Sequence, residues 1–364
     1  MMDTTAMRVV IAPDEFGGTL TAAQAASAIA EGWARARPGD VLEQLPQSDG
    51  GPGFVDVLAA AGVGRRLGVS ASGPLGGAVA AEVLLDGRTA FVESAQACGL
   101  HLIGSPGPET AWCAGTAGVG DLLRAAVEAG ATRIVVGLGG SGTTDGGRGA
   151  CTALGGLTAA HHLLRETELV AATDVTNPLL GPSGAAAVFA PQKGADPETV
   201  ARLESRLQRW ADELEDLRVR TDDGQRLRDA TGAGAAGGLG AFLLALGATR
   251  EAGADVVAGV TGRARRIGVA DLVLTGEGRF DEQTPFGKVV ASVAADARRA
   301  GVPAVVLAGQ VRGRPRVDGV TVAYSMADWA GSSARALADP APILAGLAQT
   351  VAAGFAGTVE RTGI

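Results

Sequence analysis

The sequence predicts an α/β protein with two domains: a doubly wound domain of Rossmann or flavodoxin type, built from both chain ends, and a second α/β domain inserted between them. Three observations predict this fold class. Apolar strand patterns alternate with helical periodicity near both ends of the chain. Between them the pattern changes to short strands joined by glycine turns. The 364 residues also exceed the usual size of one domain.

The first 61 residues have the pattern of two strands, each followed by a helix. Thr21 precedes the first helical run as a predicted N-cap. An acidic residue, Asp14 or Asp49, comes shortly after each strand. The predicted elements are strand 8–12, helix 22–37, strand 41–45 and helix 54–61.

The middle of the chain begins with short strands between residues 63 and 93, and Asp86-Gly87 is a hairpin signal. Further along are helix 118–129, strand 133–136, helix 147–155, strand 169–172 and amphipathic helix 198–217. The last third restores the alternation with strand 271–275, helix 288–299, strands 304–308 and 320–325, and helix 341–353. We therefore predict a discontinuous domain over 1–64 and 264–364, with residues 65–263 inserted.

The most informative segment is the glycine-rich loop at 137–147, which follows the strand 133–136. Its glycines allow positive φ and let backbone N–H groups turn toward an anion, which suits phosphate. Residues 137–142 and 232–237 both match GxGxxG, but no acidic residue stands where a dinucleotide fold needs one for the ribose. The sequence also contains no Walker A motif, so any ATP site is of another class.

Carboxylates recur in short motifs at predicted strand ends, at residues 14, 49, 145, 174 and 281, and the motifs at 48–51, 144–147 and 276–281 contain glycine. Carboxylates at such positions can hold Mg²⁺ or accept the proton of an attacking hydroxyl. The complementary cations are Lys193, Arg279 and Lys288, each near a glycine in a loop or at a helix start, where it can reach phosphate.

The composition narrows the class of partner. The formal charge is −8 and no block of like charges occurs, which argues against nucleic acid or a membrane surface as partner and favours a small molecule. The three cysteines are scattered, and the three histidines form no metal-ligand spacing with them, which indicates a reducing compartment and no zinc. No signal peptide or membrane span is evident, so we expect a cytoplasmic protein.

Five motifs in this order resemble the bacterial type I glycerate kinases, which phosphorylate D-glycerate with ATP and Mg²⁺. They are residues 137–147, 174–179, 191–195, 232–238 and 275–283, the last followed by Gly287-Lys288. The resemblance runs from about Arg8 to the last helix and implies two α/β domains with the middle one inserted. It also implies an ATP-dependent kinase, most simply a glycerate 2-kinase, with D-glycerate and ATP as partners; a homodimer fits this interpretation.

Within that interpretation each candidate residue receives a role. Gly139, Gly140 and Ser141 would cradle phosphate through the backbone, and Lys193 and Lys288 would neutralise it. The expected catalytic residues are Asp174, Lys193 and Asp281, with Asp174 or Asp281 holding Mg²⁺ or accepting the hydroxyl proton. The expected acceptor-binding residues are Asp14, Asp49 and Arg279, with Arg279 able to clamp the substrate carboxylate.

The sequence departs from the family pattern at Gly17, Pro52, Phe54 and Thr144. Gly17 replaces a lysine, and Pro52 and Phe54 replace a carboxylate and a hydroxyl. These changes leave open a kinase for a related small hydroxy acid and a catalytically silent sensor. A dinucleotide-dependent oxidoreductase fits less well, and the choice between 2- and 3-phosphoglycerate stays open.

Overall fold

The computed structural model describes residues 6–216, 225–282, 289–313 and 315–355. Lys288 lies outside the described residues. The strands are β1 (Arg8–Ile11), β2 (Val41–Gln44), β3 (Arg65–Ser72), β4 (Ala78–Asp86), β5 (Thr89–Glu93), β6 (Arg133–Gly137), β7 (Glu168–Ala172), β8 (Thr249–Glu251), β9 (Leu272–Thr275), β10 (Arg279–Phe280), β11 (Ala304–Ala308), β12 (Gln310–Val311) and β13 (Val320–Ser325).

Short 3₁₀ turns at 100–102, 191–193 and 227–229 occur in addition to the α-helices. The α-helices are α1 (Ala22–Ala36), α2 (Phe54–Ala60), α3 (Ala95–Cys98), α4 (Pro108–Cys113), α5 (Ala117–Glu128), α6 (Arg148–Ala153), α7 (Leu157–Leu164), α8 (Ala185–Phe189), α9 (Pro197–Glu215), α10 (Ala235–Ala245), α11 (Gly253–Thr261), α12 (Arg263–Ile267), α13 (Val289–Ala300), α14 (Met326–Ala330), α15 (Ser333–Ala338) and α16 (Pro340–Gly354). None of the described helices is both long and apolar enough to cross a membrane.

The chain divides into two compact units. The first comprises Met1–Ser48, Asp56–Gly62 and Ala254–Ile364, and the second comprises Asp49–Val55 and Val63–Gly253. The second unit is thus inserted into the first, as a middle domain would be. Residues 49–55 group with the inserted unit and 254–263 with the outer unit, which differs from single boundaries at 64/65 and 263/264.

The first unit contains a five-stranded parallel sheet in the order β13-β11-β9-β1-β2. When only the strands of this sheet are numbered along the chain, the order is 2-1-3-4-5, that of flavodoxin-like folds. Alternate residues of β1 face opposite sides: Val9 and Ile11 pack with α1 and α16, whereas Val10 packs with α12 and α13. Helices therefore cover both faces, and the predicted doubly wound domain is confirmed.

The start of α1 follows from local sequence. The Thr21 side chain accepts a hydrogen bond from the Gln24 amide at 3.2 Å, and the Gln24 side chain accepts one from the Thr21 amide at 2.9 Å. This reciprocal pair is a capping box, and it satisfies two backbone N–H groups that the helix itself leaves without partners. The predicted cap at Thr21 is confirmed.

The second unit is built on a six-stranded sheet in the order β3-β4-β5-β6-β7-β8. The strands β3, β4 and β5 pair antiparallel, and β5 to β8 are parallel. The predicted hairpin at Asp86-Gly87 joins β4 to β5, and Gly87 has φ +57°. The apolar stripe of α9 is buried as its spacing predicts, with Leu203, Leu207, Trp210 and Leu214 at most 2% exposed.

Candidate active site

The loop at 138–147 leaves the carboxyl end of β6, within the parallel part of the second unit's sheet. The Gly139 amide donates to the Gly50 carbonyl at 3.1 Å, and a Cβ on Gly139 would lie 2.4 Å from Gly51 Cα. Gly139 is therefore needed for close backbone packing. Gly140 is exposed with φ +70°. Among the described residues, the amides of Gly140 and Ser141 donate no hydrogen bond.

The segment 49–55 packs against this edge of the second unit. A Cβ on Gly137 would lie 2.6 Å from the Gly50 carbonyl oxygen, so the two backbones meet without room for side chains. Asp49 Oδ1 accepts a hydrogen bond from the Gly51 amide at 3.0 Å, which closes a local turn. The structure thus brings Asp49 to the same loop cluster as Gly139.

Lys193 is the central charge of this cluster. Its side chain is buried, 3% exposed, and its Nζ donates to Ser141 Oγ at 3.0 Å and to the Thr143 carbonyl at 2.7 Å. Burial lowers the pKa of Lys193 to about 8, because the interior disfavours the ammonium, while Cys98 and Asp145 act in the opposite direction. Because the Ser141 hydroxyl accepts from Lys193, its own proton is available to donate to an anion.

Asp145 organises the loop from within. Its carboxylate accepts from the Thr116 amide at 2.9 Å, the Thr116 hydroxyl at 2.9 Å, the Gly147 amide at 3.1 Å and the Gly149 amide at 2.9 Å. It is 7% exposed. Four donors leave little capacity for a metal or substrate, so Asp145 acts as a structural anion that fixes the loop to the segments before α5 and α6.

The second GxGxxG match, at 232–237, supports the loop by packing. A Cβ on Gly237 would lie 1.9 Å from the Thr143 carbonyl oxygen, and the Gly237 carbonyl accepts from the Gly146 amide at 3.0 Å. Ala236 beside it has φ +49°, the only positive φ of a non-glycine residue among those described. This segment is a backbone support for the loop at 138–147, which explains its glycines without a dinucleotide.

One further residue that holds this loop, Arg206, was not predicted from the sequence. Arg206 on α9 donates to the Thr144 carbonyl at 2.9 Å and to the Trp112 carbonyl at 2.8 Å. Its guanidinium also lies 4.5 Å from the centre of the Trp112 ring. In the sequence, Arg206 looks like one of the solvent-exposed charges on the polar face of an amphipathic helix. The available signal was Trp112, the one aromatic residue in the segment 111–115.

Asp174 lies just beyond the end of β7, the strand next to β6, and is half-buried. Its neighbours hold the loop in place: Thr173 Oγ1 accepts from the Val175 amide at 3.1 Å, and the Asn177 side chain donates to the Ser183 carbonyl at 2.8 Å. The carboxyl ends of neighbouring parallel strands lie at one edge, so Asp174 shares an edge with the loop after β6.

The remaining predicted residues belong to the first unit. Asp14 follows β1, and its amide donates to the Gly276 carbonyl after β9 at 2.8 Å. The strand order reverses between β1 and β9, and such a switch point is the usual ligand site of open α/β sheets. Glu277 is 6% exposed at this point and was not singled out, although Gly-Glu-Gly directly after an apolar strand was the available signal.

Arg279 and Asp281 form an ion pair in this unit. Arg279 Nε lies 2.7 Å from Asp281 Oδ2, and the arginine side chain is 60% exposed. A pair this exposed is weak, so a ligand carboxylate can compete for the guanidinium. The predicted site residues therefore fall into two groups. The second unit holds Asp49, Gly139, Gly140, Ser141, Asp174 and Lys193, and the first unit holds Asp14, Arg279 and Asp281.

The chemistry of these residues fits Mg²⁺ only as a partner of phosphate. Within the described ranges, no group of three or more histidine, cysteine or acidic side chains is arranged to hold a metal ion by itself. Mg²⁺ commonly takes one or two protein carboxylates and completes its shell with phosphate oxygens and water. Asp174 and Asp281, each at the end of a parallel strand or just beyond it, fit that smaller role.

Comparison with known proteins decides the family. The sequence model of the glycerate kinase family matches residues 9–161 and 156–356. The chain belongs to the glycerate kinase family. The resemblance inferred from the five motifs is thereby confirmed, and the family is one of phosphotransferases.

Curated members of the family extend this result. The glycerate kinase of Bacillus subtilis is 40% identical over 309 residues, which covers 78% of this chain and 79% of the relative. The glycerate 2-kinase of Escherichia coli is 36% identical and covers 78% of this chain and 80% of the relative. A crystal structure assigned as glycerate kinase 2 from Salmonella typhimurium LT2 superimposes with a TM-score of 0.76 at 35% identity, covering 96% and 98% of the two chains. The predicted α/β fold class is confirmed.

Proposed function

We propose that the protein is a glycerate 2-kinase that transfers the terminal phosphoryl group of ATP to the C2 hydroxyl of D-glycerate. The observation that carries the proposal is the buried Lys193 ammonium bonded to Ser141 and Thr143 of the glycine-rich loop. A fixed positive charge beneath a loop with available N–H groups suits a phosphate chain. The names of the curated relatives support the same reaction.

In this mechanism the loop binds the phosphate chain. The amides of Gly140 and Ser141 and the Ser141 hydroxyl would donate to phosphate oxygens. Lys193 would stabilise the negative charge from behind the loop, because its ammonium already donates to the Ser141 hydroxyl and polarises it. Phosphoryl transfer depends mainly on positioning and charge neutralisation, so these groups supply what the reaction needs. Lys288 would add a second cation.

The carboxylates and Arg279 would bind the acceptor, and one carboxylate would take its proton. D-Glycerate carries one carboxylate, and a substrate carboxylate can replace Asp281 as the partner of Arg279 in a bidentate pair. Asp14 and Asp49 would accept hydrogen bonds from the substrate hydroxyls. Asp174 or Asp281 would take the proton of the attacking hydroxyl. Mg²⁺, when bound, would neutralise phosphate charge, with Asp174 or Asp281 supplying an oxygen ligand.

A coupled ADP-release assay over a panel of C3 to C6 hydroxy acids tests the proposal. The expected result is turnover highest with D-glycerate, dependent on both ATP and Mg²⁺. Asp174→Asn and Lys193→Ala should each lose activity, whereas Arg165→Ala, a change to an exposed arginine of the second unit, serves as control.

Two outcomes would contradict the proposal in different ways. Binding of D-glycerate without turnover would favour a sensor, and turnover of another hydroxy acid alone would identify a different acceptor. Full activity in both Asp174→Asn and Lys193→Ala would show that the proposed site is wrong.

A further inference from the structure

A cavity of about 60 Å³ lies in the first unit, and Gly278 in its wall directly precedes Arg279. Its wall is formed by segments that follow β1, β9, β11 and β13, so it sits at the carboxyl edge of the five-stranded sheet. Ligands of open α/β sheets bind at that edge.

The floor of the cavity is bare backbone. A Cβ on Gly309 would lie 2.4 Å from the Gly278 carbonyl oxygen, so the two glycine segments are in direct contact. The Gly309 amide donates to the Glu277 carbonyl at 3.0 Å, and the Gln310 amide donates to the Gly278 carbonyl at 3.0 Å. These bonds hold the two glycine segments together beside the cavity.

The walls are apolar. Phe16, Met326 and Ala336 line the cavity and are at most 4% exposed, whereas Leu337 on α15 lines it and is 59% exposed. An exposed leucine at the edge of a cavity is a surface that a ligand can cover. The polar side chains are the uncharged Thr19, Gln310 and Ser333, and among the described lining residues none is charged.

This lining selects between the two substrates of the proposed reaction. D-Glycerate and the phosphate chain are anions, and an anion in a cavity without a cation is strongly disfavoured. The adenine ring of ATP is uncharged, flat and largely apolar, with polar atoms at its edge. Cationic groups lie just beyond the lining: Arg312 Nε donates to the Gln310 side-chain oxygen at 3.1 Å, and Arg279 of β10 pairs in register with Gln310 of β12.

We propose that this cavity binds the adenine ring of ATP, with the ring on the Gly278 and Gly309 backbone and against Leu337. The inference rests on the proposed function, because that function brings ATP to the protein. Thr19, Gln310 and Ser333 would supply hydrogen bonds to the ring edge. The phosphate chain would lie outside the cavity.

Thiol protection tests the site without requiring turnover. Leu337→Cys is labelled with a maleimide, and the rate at residue 337 is read by peptide mass spectrometry, which separates it from the exposed Cys113. Saturating ADP should slow labelling at least fivefold, whereas inorganic triphosphate and D-glycerate should not. Val269→Cys, also exposed in the first unit but just before β9 at the opposite edge of the sheet, is the matched control. An unchanged rate with ADP, or protection by triphosphate or D-glycerate, would overturn the proposal.

A second variant gives a kinetic readout. Ser333→Trp places a large ring at the cavity from an exposed position, so the fold should tolerate it. The KM for ATP should rise at least tenfold while the KM for D-glycerate stays within twofold, and Ser205→Trp on the exposed side of α9 should change neither. Equal KM values for ATP in Ser333→Trp and the unmodified protein would contradict the assignment. Protection by ADP without turnover would refute the proposed function alone, and turnover without protection would refute only the adenine site.

Discussion

Replacing Lys193 by Met should separate activity from stability. The side chain keeps its length and apolar stem but loses the ammonium that donates to Ser141 and Thr143. The pKa of Lys193 is about 8 in the folded protein against an ordinary 10.5, because burial disfavours the charged form. At 1.36 kcal/mol for each pKa unit, burying this charge costs about 3 kcal/mol at pH 7.

The sign of the pH dependence follows from the same values. The folded pKa lies below the unfolded one, so the unfolded chain holds the proton more tightly between pH 8 and 10.5. The cost is present in full below pH 8 and disappears as the pH rises from 8 to 10.5. Methionine removes this cost but leaves two buried oxygens without their donor, at about 1–3 kcal/mol each. The free energy of unfolding at pH 7 should therefore change by no more than about 3 kcal/mol.

Activity should behave differently. Loss of a preorganised charge at the phosphate site should lower kcat/KM for D-glycerate at least 100-fold, about 3 kcal/mol of transition-state stabilisation. In the unmodified protein kcat/KM should fall above pH 8 as the ammonium deprotonates, and the residual activity of Lys193→Met should lack that decline. Urea unfolding and ADP release measure the two quantities. A free energy of unfolding within about 3 kcal/mol of the unmodified protein, together with full activity, would refute the role given to Lys193.

Three other changes test the surrounding structure. Asp145→Asn should lower the free energy of unfolding by about 3 kcal/mol, because one amide cannot accept from four donors, while the exposed Asp86→Asn should stay within about 0.5 kcal/mol; equal effects in urea titrations would contradict this. Asp296→Asn should cost about 3–5 kcal/mol, since it removes the 2.6 Å partner of the buried Arg263, and a loss below 1 kcal/mol would be inconsistent with a buried ion pair. Ala236→Gly should raise the free energy of unfolding by up to about 1 kcal/mol because φ is +49°, and thermal unfolding checks the sign.

Elements with a local cause were predictable from sequence. Thr21 and Gln24 determine where α1 begins, and Asp86-Gly87 determines the hairpin between β4 and β5. The two-residue strands β10 and β12 were not predicted. They pair across about 30 residues of chain, and a pair this short has no periodicity of its own. Such elements form only because the surrounding sheet brings them together.

The same difference between local and long-range causes applies to the candidate site. Lys193 and Ser141 were both predicted near phosphate, and the structure joins them by a hydrogen bond. Thr116 and Arg206 were not predicted, because their partners in the loop lie 29 and 62 residues away. One compositional signal was available and unused: the chain has two lysines, Lys193 and Lys288, among 31 basic residues. In so arginine-rich a sequence, a lysine marks a position that needs a compact ammonium.

Phosphorus NMR of the reaction tests the central claim most directly, because it identifies the donor, the acceptor and the position of the new bond together. The protein is incubated with ATP, Mg²⁺ and D-glycerate, and the proton-coupled ³¹P spectrum is recorded. Phosphorylation at the C2 hydroxyl should give a new phosphomonoester signal that is split into a doublet by the single proton on C2 and grows with the ADP signals. A triplet would place the phosphate on C3, and the absence of any new phosphomonoester would contradict the proposed kinase activity.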